Sequence, residues 1–355
     1  MNNLVALKIR KGLIQWYRKH RRDLPWRQNK DPYRIWLSEV MLQQTQVDTV
    51  IPYYHRFLKR FPTVQSLAKA PLDDLLARWS GLGYYSRARS LHRAAQIVVN
   101  EKKGEWPSDL EGWMRLPGIG RYTAGAILSI AFEKRVPILD GNVMRVLCRL
   151  FALDGDPRAE PLNSRLWKLA EEILPRKNLG DFNQSLMELG AMVCTPVSPQ
   201  CLLCPCRSLC KAFASGDVER FPRPKKQAST LHVQMAAAAV RMNGKFFLQK
   251  RREGEVLGGL WEFPVVEFKG RKNLESQLQK ELSQKFLGPF LSSQHRGAVQ
   301  HSIMNRRLKV DVYEFDWPMG RVAESNEGSQ WFELKDLKKI PISSLHRKIA
   351  QVVSD

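Results

Sequence analysis

Apolar residues recur at helical spacing through most of the first 215 positions of this chain. The recurrence marks segments at 33–61, 66–79, 86–100, 108–116, 122–132, 142–151, 164–174 and 181–192. Helix stops and caps fall between many of these segments, at Asp31-Pro32, Phe61-Pro62, Pro117-Gly118 and Pro175. The pattern predicts that residues 1–220 form one mostly α-helical domain.

The pattern changes after a short stretch without periodicity. Residues 221–231 (FPRPKKQASTL) combine proline, lysine and small polar residues, which is typical of a linker. Strand alternation and a hairpin signal at Asn243-Gly244 follow. The segments with these signals are Val233–Val240, Lys245–Lys250 and Leu308–Phe315 for strands, and Leu274–Phe286 for a helix. Residues 232–355 are therefore predicted to form a separate α+β domain.

The balance of charge indicates a polyanionic partner. The 355 residues include 57 Lys and Arg against 35 Asp and Glu, which leaves a formal net charge of +22 at pH 7. Such an excess favours a phosphate backbone first and an anionic membrane second. A basic soluble protein with neither partner remains an alternative at this point.

Several classes of protein do not match the sequence. A transmembrane helix needs a run of about 18 apolar residues, and none is present, so we expect no membrane partner. Lys8, Arg10 and Lys11 interrupt the apolar stretch after Leu4–Leu7, unlike a secretory signal. Six cysteines are too few for a disulfide scaffold. We therefore expect a cytoplasmic protein.

Four cysteines, Cys194, Cys201, Cys204 and Cys210, are separated by six, two and five residues. Thiolates this close in sequence can hold one metal centre at little loop-closure cost. Because no histidine lies nearby, they suit either a structural zinc ion or an iron–sulfur cluster. Cys206 lies inside the last loop and leaves the identity of the fourth ligand open.

A glycine-rich turn, Leu116–Gly120 (LPGIG), joins two helical segments. Gly118 and Gly120 allow a tight turn whose backbone N–H groups face outward at the start of the next helix. Such a turn can seat a phosphate of nucleic acid. Pro-Gly also joins helices with no ligand, so a purely structural turn is the alternative.

Two carboxylates stand at positions with contrasting surroundings. Glu39 lies on the apolar stripe of a helix, where burial raises the pKa of a carboxyl and lets it hold a proton. Asp140 precedes a helix whose N–H groups and dipole favour the ionised form. Such a pair suits cleavage of a glycosidic bond, with one acid and one anion facing a cationic sugar. Each residue also has a purely structural alternative. Glu39 would be a glutamate at the edge of the stripe, paired with an arginine, and Asp140 would be a simple helix cap.

Together these features resemble the MutY-type adenine DNA glycosylases of the helix-hairpin-helix superfamily of endonuclease III. The matching stretches are Leu24–Arg27 (LPWR), Trp36–Val47 (WLSEVMLQQTQV), Gly81–Ala88 (GLGYYSRA), Leu116–Ile127 (LPGIGRYTAGAI), Ile138–Arg145 (ILDGNVMR) and the four cysteines. The resemblance implies that Cys194, Cys201, Cys204 and Cys210 hold a 4Fe–4S cluster, in a loop at about 194–210. It also implies removal of adenine mispaired with 8-oxoguanine or guanine in base excision repair.

The resemblance further implies roles for particular residues. Glu39 would protonate the flipped adenine, and Asp140 would stabilise the oxocarbenium ion or form a transient covalent adduct with it. Tyr122 and Asn142 occupy supporting catalytic positions. The residues that match the adenine pocket are Trp26, Arg27, Leu42, Gln184 and Glu188, and those that match wedges into the duplex are Gln44 and Tyr84. Bifunctional relatives carry a Schiff-base lysine in place of Tyr122, so we expect hydrolysis without efficient strand cleavage.

The second predicted domain resembles the Nudix-like part of the same family, which recognises 8-oxoguanine. The resemblance rests on Val256–Pro264 (VLGGLWEFP). Gln284 and Lys285 follow Glu281 where a Nudix hydrolase needs two further carboxylates for magnesium. We therefore expect no nucleotide hydrolysis, and a folded spacer with added DNA contacts is the alternative role.

The loop that would read 8-oxoguanine departs from the family pattern of Phe-Ser-His or Phe-Thr-His. Alignment on His301 places Ile303-Met304-Asn305 there instead. Asn305 keeps a donor and an acceptor, and Arg306 and Arg307 add phosphate contacts. We expect weaker discrimination of 8-oxoguanine from guanine than is usual in the family.

Three alternative functions remain. A thymine mismatch glycosylase shares Tyr122, Asp140 and the cluster, although its shorter relatives lack Glu39 and the second domain. An iron–sulfur protein that binds DNA without catalysis would need neither carboxylate. A bifunctional glycosylase is disfavoured by Tyr122. In each case we expect double-stranded DNA as the partner and a monomeric protein.

Overall fold

The structure, a computed structural model, describes residues 2–223, 229–252, 254–268, 273–286, 290, 293–317 and 328–354. Contacts within the chain divide it into two units. The first unit comprises residues 1–69 and 90–226, and the second comprises residues 70–89 and 227–355. The predicted domain boundaries at 220 and 232 stay predictions, and residues 224–228 of the predicted linker lie outside the described residues.

Helices account for the chain up to the cysteine-rich loop. In order they are α1 (Asn3–His20), α2 (Pro32–Leu42), α3 (Val47–Arg60), α4 (Val64–Ala68), α5 (Leu72–Trp79), α6 (Ser86–Asn100), α7 (Leu110–Met114), α8 (Arg121–Phe132), α9 (Gly141–Phe151), α10 (Leu162–Ile173), α11 (Leu179–Met192) and α12 (Lys211–Ala214). Short 3₁₀ turns occupy Pro25–Arg27, Cys201–Leu203 and Arg207–Leu209. Of the helices in the described residues, none has the length and hydropathy to cross a bilayer.

The core of the first unit forms around α8. This helix is buried along most of its length, and α2 and α11 pack against it. In turn, α1 and α9 pack against α11. These contacts bring together helices from both ends of the unit, and the loops at their ends meet at one cavity.

Two predicted helical segments are divided in the structure. The segment 33–61 is interrupted between α2 and α3, where Gln44 adopts a φ of +58°. The segment 66–79 is interrupted at Pro71, which precedes α5 and which cannot sit inside a helix without loss of a hydrogen bond. The interruption at Gln44 matters for function because it turns that residue into the cavity.

Besides α5, the second unit contains a mixed sheet and two helices from its C-terminal part. The strands are β1 (Leu231–Met242), β2 (Lys245–Lys250), β3 (Trp261–Glu262), β4 (Val265–Glu267), β5 (Gln294–Ile303), β6 (Arg306–Asp316) and β7 (Ser329–Phe332), and the helices are α13 (Leu274–Phe286) and α14 (Ser344–Val352). The strand order is β3-β2-β1-β6-β5, with β4 paired to β1 and β7 paired to β2. The β1–β6 pair is parallel, and the other strand pairs are antiparallel.

Alternation along β1 gives the sheet two apolar faces. Alternate residues of Ala236–Val240 belong to two different core clusters. One cluster includes Leu345 and Ile349 of α14, and the other includes Leu278 and Leu282 of α13. The sheet is therefore covered by a helix on each face. The prediction of a mostly α first region and an α+β second region is confirmed.

Candidate active site

A cavity of about 560 Å³ lies in the first unit, among residues of α2, α8, α9 and α11. It brings together predicted site residues from separate stretches of the sequence. They are Trp26, Arg27, Glu39, Leu42, Gln44, Tyr122, Asp140, Asn142, Gln184 and Glu188. The cavity also includes Arg22, Gln43 and Met187, which the sequence did not single out.

Glu39 is buried in the wall of this cavity. Its helix begins where the side chain of Asp31 accepts a hydrogen bond from the Tyr33 N–H, at 2.8 Å, and where Pro32 sets the first turn. The helix then places Glu39 on the inward face, with only 6% of the residue exposed. Burial raises the pKa of Glu39 from 4.5 to about 7. About half of this carboxyl is therefore protonated at neutral pH.

Tyr122 orients the Glu39 carboxyl from the first turn of α8. Its hydroxyl donates a hydrogen bond to Oε2 of Glu39 over 2.7 Å and lies 3.1 Å from Sδ of Met187. The bond from Tyr122 favours the ionised carboxylate and lowers the pKa of Glu39, whereas the negative charge of Asp140 raises it. Burial is the largest of these effects, and together with Asp140 it outweighs the lowering of the pKa by Tyr122.

Asp140 caps α9 as the sequence predicted. Its Oδ1 accepts a hydrogen bond of 2.7 Å from the Val143 N–H, and its Oδ2 accepts one of 3.0 Å from Asn142 Nδ2. Burial raises the pKa of Asp140, and the bonds from Val143 and Asn142 oppose this rise. The N–H groups at the helix N-terminus favour the ionised form as expected, but burial acts in the other direction and is the larger effect on the pKa.

Asn142 is itself held in place by an arginine that the sequence did not single out. Arg145 Nη2 donates to Asn142 Oδ1 at 2.8 Å and to the Gly190 carbonyl at 2.8 Å, while its Nε donates to the Cys194 carbonyl at 2.7 Å. These bonds fix the orientation of the Asn142 amide, so that its Nδ2 faces Asp140.

Glu188 is paired with two arginines at the cavity wall. Arg27 donates to both carboxylate oxygens, at 2.9 and 2.8 Å. Arg22 does the same through Nε and Nη2, at 3.0 and 2.7 Å. Burial opposes ionisation, but these bonds outweigh it and lower the pKa of Glu188 to about 2. Glu188 is thus a permanent anion whose oxygens hold Arg27 in position.

The predicted glycine turn lies between α7 and α8. Gly118 has a φ of +76°, and a Cβ there would lie 2.6 Å from Cβ of Ser90. Both the backbone and the packing therefore require glycine at this position. Gly120 precedes α8 and contributes no side-chain cap to its first N–H groups. This geometry suits the proposed phosphate seat, which stays a prediction.

The four cysteines of the predicted ligand set line one small cavity, of about 20 Å³. Cys194 follows α11, Cys201 begins a 3₁₀ turn that ends before Cys204, and Cys210 precedes α12. Cys206 is buried but does not line the cavity, which favours Cys210 as the fourth member of the set. Within the described residues, no three His, Cys, Asp or Glu side chains are grouped as one metal ion would require.

Arg149 presents a buried positive charge to this cavity. Only 2% of the residue is exposed, and its guanidinium donates to the carbonyls of Phe221, Thr195 and Pro196 at 2.9, 2.6 and 2.9 Å. Its Nη1 also lies 3.5 Å from Sγ of Cys194. No carboxylate of the described part of the chain pairs with Arg149. A buried cation without an acidic partner fits an anionic group held by the four thiolates.

The remaining predicted residues lie in the second unit. Tyr84 is 46% exposed and adopts a φ of +48°. His301 Nε2 lies 3.4 Å from the Ser344 hydroxyl, and burial lowers the pKa of this histidine. Asn305 follows Met304 in the two-residue turn between β5 and β6, and its Nδ2 donates to the Ser229 carbonyl at 3.4 Å. None of these three residues lines the cavity around Glu39.

A second cavity, of about 540 Å³, is lined by His301 and by basic side chains. Its charged members are Arg307, Lys309 and Lys348. Arg306 instead forms a 2.6 Å ion pair with Glu267. The predicted contact with a phosphate therefore fits Arg307 better than Arg306, whose charge is already paired.

The remnant of the Nudix sequence does not fit a divalent cation. The Lys285 amino group contacts Oε1 of Gln249 and lies 5.6 Å from the centre of the Phe247 ring. Lys285 therefore places a positive charge at a position where, by the resemblance, a hydrolase would need a carboxylate.

Comparison with known proteins places these features in a class. The HhH-GPD superfamily of base excision DNA repair proteins matches residues 37–172, and the NUDIX domain family matches residues 236–352. A solved structure of a thermostable thymine-DNA glycosylase is 30% identical, with a TM-score of 0.55 over 60% of this chain and 98% of that one. An endonuclease III–DNA complex, at 24% identity and a TM-score of 0.50, covers 59% of this chain and 97% of that one and shares the fold. The helical region is that of a helix-hairpin-helix base excision repair protein.

Full-length relatives narrow the class to a family. A Mus musculus protein named adenine DNA glycosylase is 35% identical over 401 residues, which cover 98% of this chain and 78% of the relative. Relatives of the same name in Homo sapiens and Schizosaccharomyces pombe are 36% and 33% identical, over 97% and 96% of this chain and 73% and 88% of the relatives. The chain belongs to the adenine DNA glycosylase family, and the predicted resemblance is confirmed.

Proposed function

We propose that this chain hydrolyses the N-glycosidic bond of adenine in DNA where adenine is mispaired with 8-oxoguanine or guanine. Family membership supports the choice of adenine. The structural observation that carries the proposal is the buried Glu39 carboxyl, with its pKa near 7, in one cavity with Asp140. A proton donor and an anion on either side of a sugar are what this reaction needs.

Glu39 acts as the general acid. Its proton passes to a ring nitrogen of the flipped adenine as the bond between the sugar C1′ and the base nitrogen breaks, and the bonding electron pair leaves with the base. Asp140, held by Val143 and Asn142, faces the cationic sugar. Water then adds to C1′, and its proton passes to the Glu39 carboxylate, which restores the acid.

Other residues of the cavity bind and orient the base. Arg27 is held at the wall by Glu188. Burial lowers the pKa of its guanidinium, but the hydrogen bonds to Glu188 and the neighbouring negative charges outweigh burial and raise it. Trp26 and Leu42 provide apolar surface for the adenine ring, and Gln184 provides an amide. Tyr122 hydrogen-bonds Glu39 and has no amine to form a Schiff base, so base release occurs without efficient strand cleavage.

We also propose a 4Fe–4S cluster, which the thiolates of Cys194, Cys201, Cys204 and Cys210 would hold. The residues fit such a group, because the four thiols surround one space and Arg149 supplies an uncompensated positive charge beside them. When bound, the cluster supplies folding free energy to the loop between α11 and α12. The Arg145 bond to the Cys194 carbonyl then connects that loop to Asn142.

Single-turnover base release tests the proposal. The substrates are matched duplexes with adenine opposite 8-oxoguanine, guanine or thymine, and thymine opposite guanine. Adenine release, fastest opposite 8-oxoguanine, supports the proposal. Because Ile303-Met304-Asn305 replaces the family motif, we expect the preference over guanine to be smaller than in relatives with the usual sequence. Release of thymine alone would instead favour a thymine glycosylase, the activity named for one structural relative.

A further inference from the structure

The segment 70–89, which carries Tyr84, packs with the second unit although the first unit flanks it in sequence. It contains α5 and the turn that leads into α6. Chain order would assign this segment to the helical region. Its contacts instead make it part of the same unit as the Met304–Asn305 turn.

Two polar contacts anchor the segment within that unit. The Lys250 amino group donates to both carboxylate oxygens of Asp73, at 2.9 and 2.8 Å. The Ser80 hydroxyl donates to the Ile342 carbonyl at 2.5 Å. Ser80 and Ile342 are both buried, so loss of this bond would leave a buried carbonyl without that donor.

A third contact depends on the absence of a side chain. A Cβ at Gly259 would lie 3.1 Å from Nη2 of Arg89, at the end of the segment. Glycine therefore leaves the space that the Arg89 guanidinium occupies against the backbone. That nitrogen is buried and has no hydrogen-bond partner among the described residues, so its position is set by packing.

Bonds inside the segment connect these anchors to Tyr84. Trp79 Nε1 donates to the Gly83 carbonyl at 3.1 Å, and Arg87 Nη2 donates to the carbonyls of Leu82 and Gly83 at 3.2 and 3.1 Å. The Arg87 guanidinium lies 5.4 Å from the centre of the Trp79 ring and 5.5 Å from that of Tyr84. Hydrogen bonds thus hold the Leu82 and Gly83 carbonyls in the turn before Tyr84, and this turn follows Ser80 in the sequence.

We propose that the second unit positions Tyr84 through Ser80 and the Asp73–Lys250 pair, and thereby sets how strongly base release depends on the opposite base. The inference rests on the proposed function and on the predicted role of Tyr84 as a wedge in the duplex. Ser80, Asp73 and Lys250 are positioning residues, since none of them lines the cavity around Glu39. The wedge and the turn that would read the opposite base then belong to one unit and move together.

The test compares Ser80→Ala, Asp73→Asn and Lys250→Met with the unmutated full-length protein. Single-turnover adenine release is measured opposite 8-oxoguanine and opposite guanine, with 2-aminopurine beside the opposite base to report unstacking. We expect each variant to lower the ratio of the two rates about two- to fivefold. Each variant should also weaken the rise in 2-aminopurine fluorescence that reports unstacking. In a Tyr84→Ala background the same changes should have no further effect, because they act through Tyr84.

Conservative and matched variants control for general damage. Ser80→Thr and Lys250→Arg keep the donor and should restore the ratio. Lys339→Met removes a pair of the same length, 2.8 Å to Asp336, at a more exposed position of the unit and should leave the ratio unchanged. Melting temperatures identify variants that fail to fold. Where a variant fails to fold, the rate ratio of the conservative variant at the same position tests the inference instead.

The outcomes separate this inference from the proposed function. An unchanged ratio in the anchor variants, while Tyr84→Ala lowers it, overturns the inference and leaves the glycosylase function in place. Additive losses in the Tyr84→Ala background also overturn it. Absence of adenine release by the unmutated protein, from any duplex, instead contradicts the proposed function.

Discussion

Replacement of Glu39 by glutamine is the most direct test of the acid. The amide has nearly the shape of the carboxyl and can still accept the bond from Tyr122, so the cavity should keep its form. It cannot deliver a proton. Because general acid catalysis contributes about 10²- to 10⁴-fold, we expect single-turnover adenine release to fall by that factor, or about 3–5 kcal/mol in activation free energy.

The same substitution should affect stability in the opposite direction. The pKa of Glu39 is raised from 4.5 to about 7, so the ionised carboxyl destabilises the folded state by about 3 kcal/mol. This cost is absent below pH 4.5 and complete above about pH 7. Glu39→Gln removes it, so at pH 8 the variant should resist urea at least as well as the unmutated protein.

The pH profile gives a further signature. In the unmutated protein, base release should fall about tenfold for each pH unit above 7, as the Glu39 proton is lost. The residual activity of Glu39→Gln should lack this slope. Glu111→Gln, which alters an exposed glutamate paired with Arg115, is the matched control. Release within threefold of the unmutated rate by Glu39→Gln, on an otherwise intact duplex complex, would refute the assignment of Glu39 as the acid.

Three further predictions follow from other contacts. Tyr122→Phe removes a bond that lowers the pKa of Glu39, so the alkaline fall in the rate should move to higher pH, and a move to lower pH would contradict this. Arg149→Met should reduce the iron content and visible absorbance of the purified protein. It should also lower the free energy of unfolding by about 1–3 kcal/mol for each carbonyl left unpaired, and Arg149→Lys should be less affected. Gly118→Ala should lower the free energy of unfolding by about 1–3 kcal/mol, and with it the urea midpoint, because φ is +76° and Ser90 blocks the new Cβ. An unchanged urea midpoint would mean that the turn adapts.

Local signals in the sequence predicted local structure well. Lys245–Lys250 and Leu274–Phe286 were predicted as a strand and a helix, and β2 and α13 have these same bounds. The cap at Asp31 and the cap at Asp140 also form as expected. In each case the determining interactions lie within a few residues, so the pattern of the chain contains them.

The sequence predicted less where distant residues decide the structure. The turn at Gln44 contains neither glycine nor proline, so no local signal in the sequence predicts its left-handed backbone. Pro71, in contrast, is a local signal, and the prediction of one helical segment over 66–79 did not take it into account. Strand β5 lacked clear alternation and was not predicted. Arg22 pairs with Glu188 across 166 positions, and only the packing of α1 on α11 brings them together. The adenine-pocket residues were available only from the resemblance to the family.

The pairing of Glu188 with Arg22 and Arg27 has a consequence for a chain during synthesis. The two arginines are made within the first thirty residues, but their shared counter-charge arrives only with α11. Until then, neither arginine has the carboxylate that both of them share in the folded protein, and Arg27 lacks its two hydrogen bonds to that carboxylate. An incomplete chain released early therefore has no finished pocket for a base. An enzyme that cuts bases out of the genome gains from acquiring that ability only when its helical region is whole.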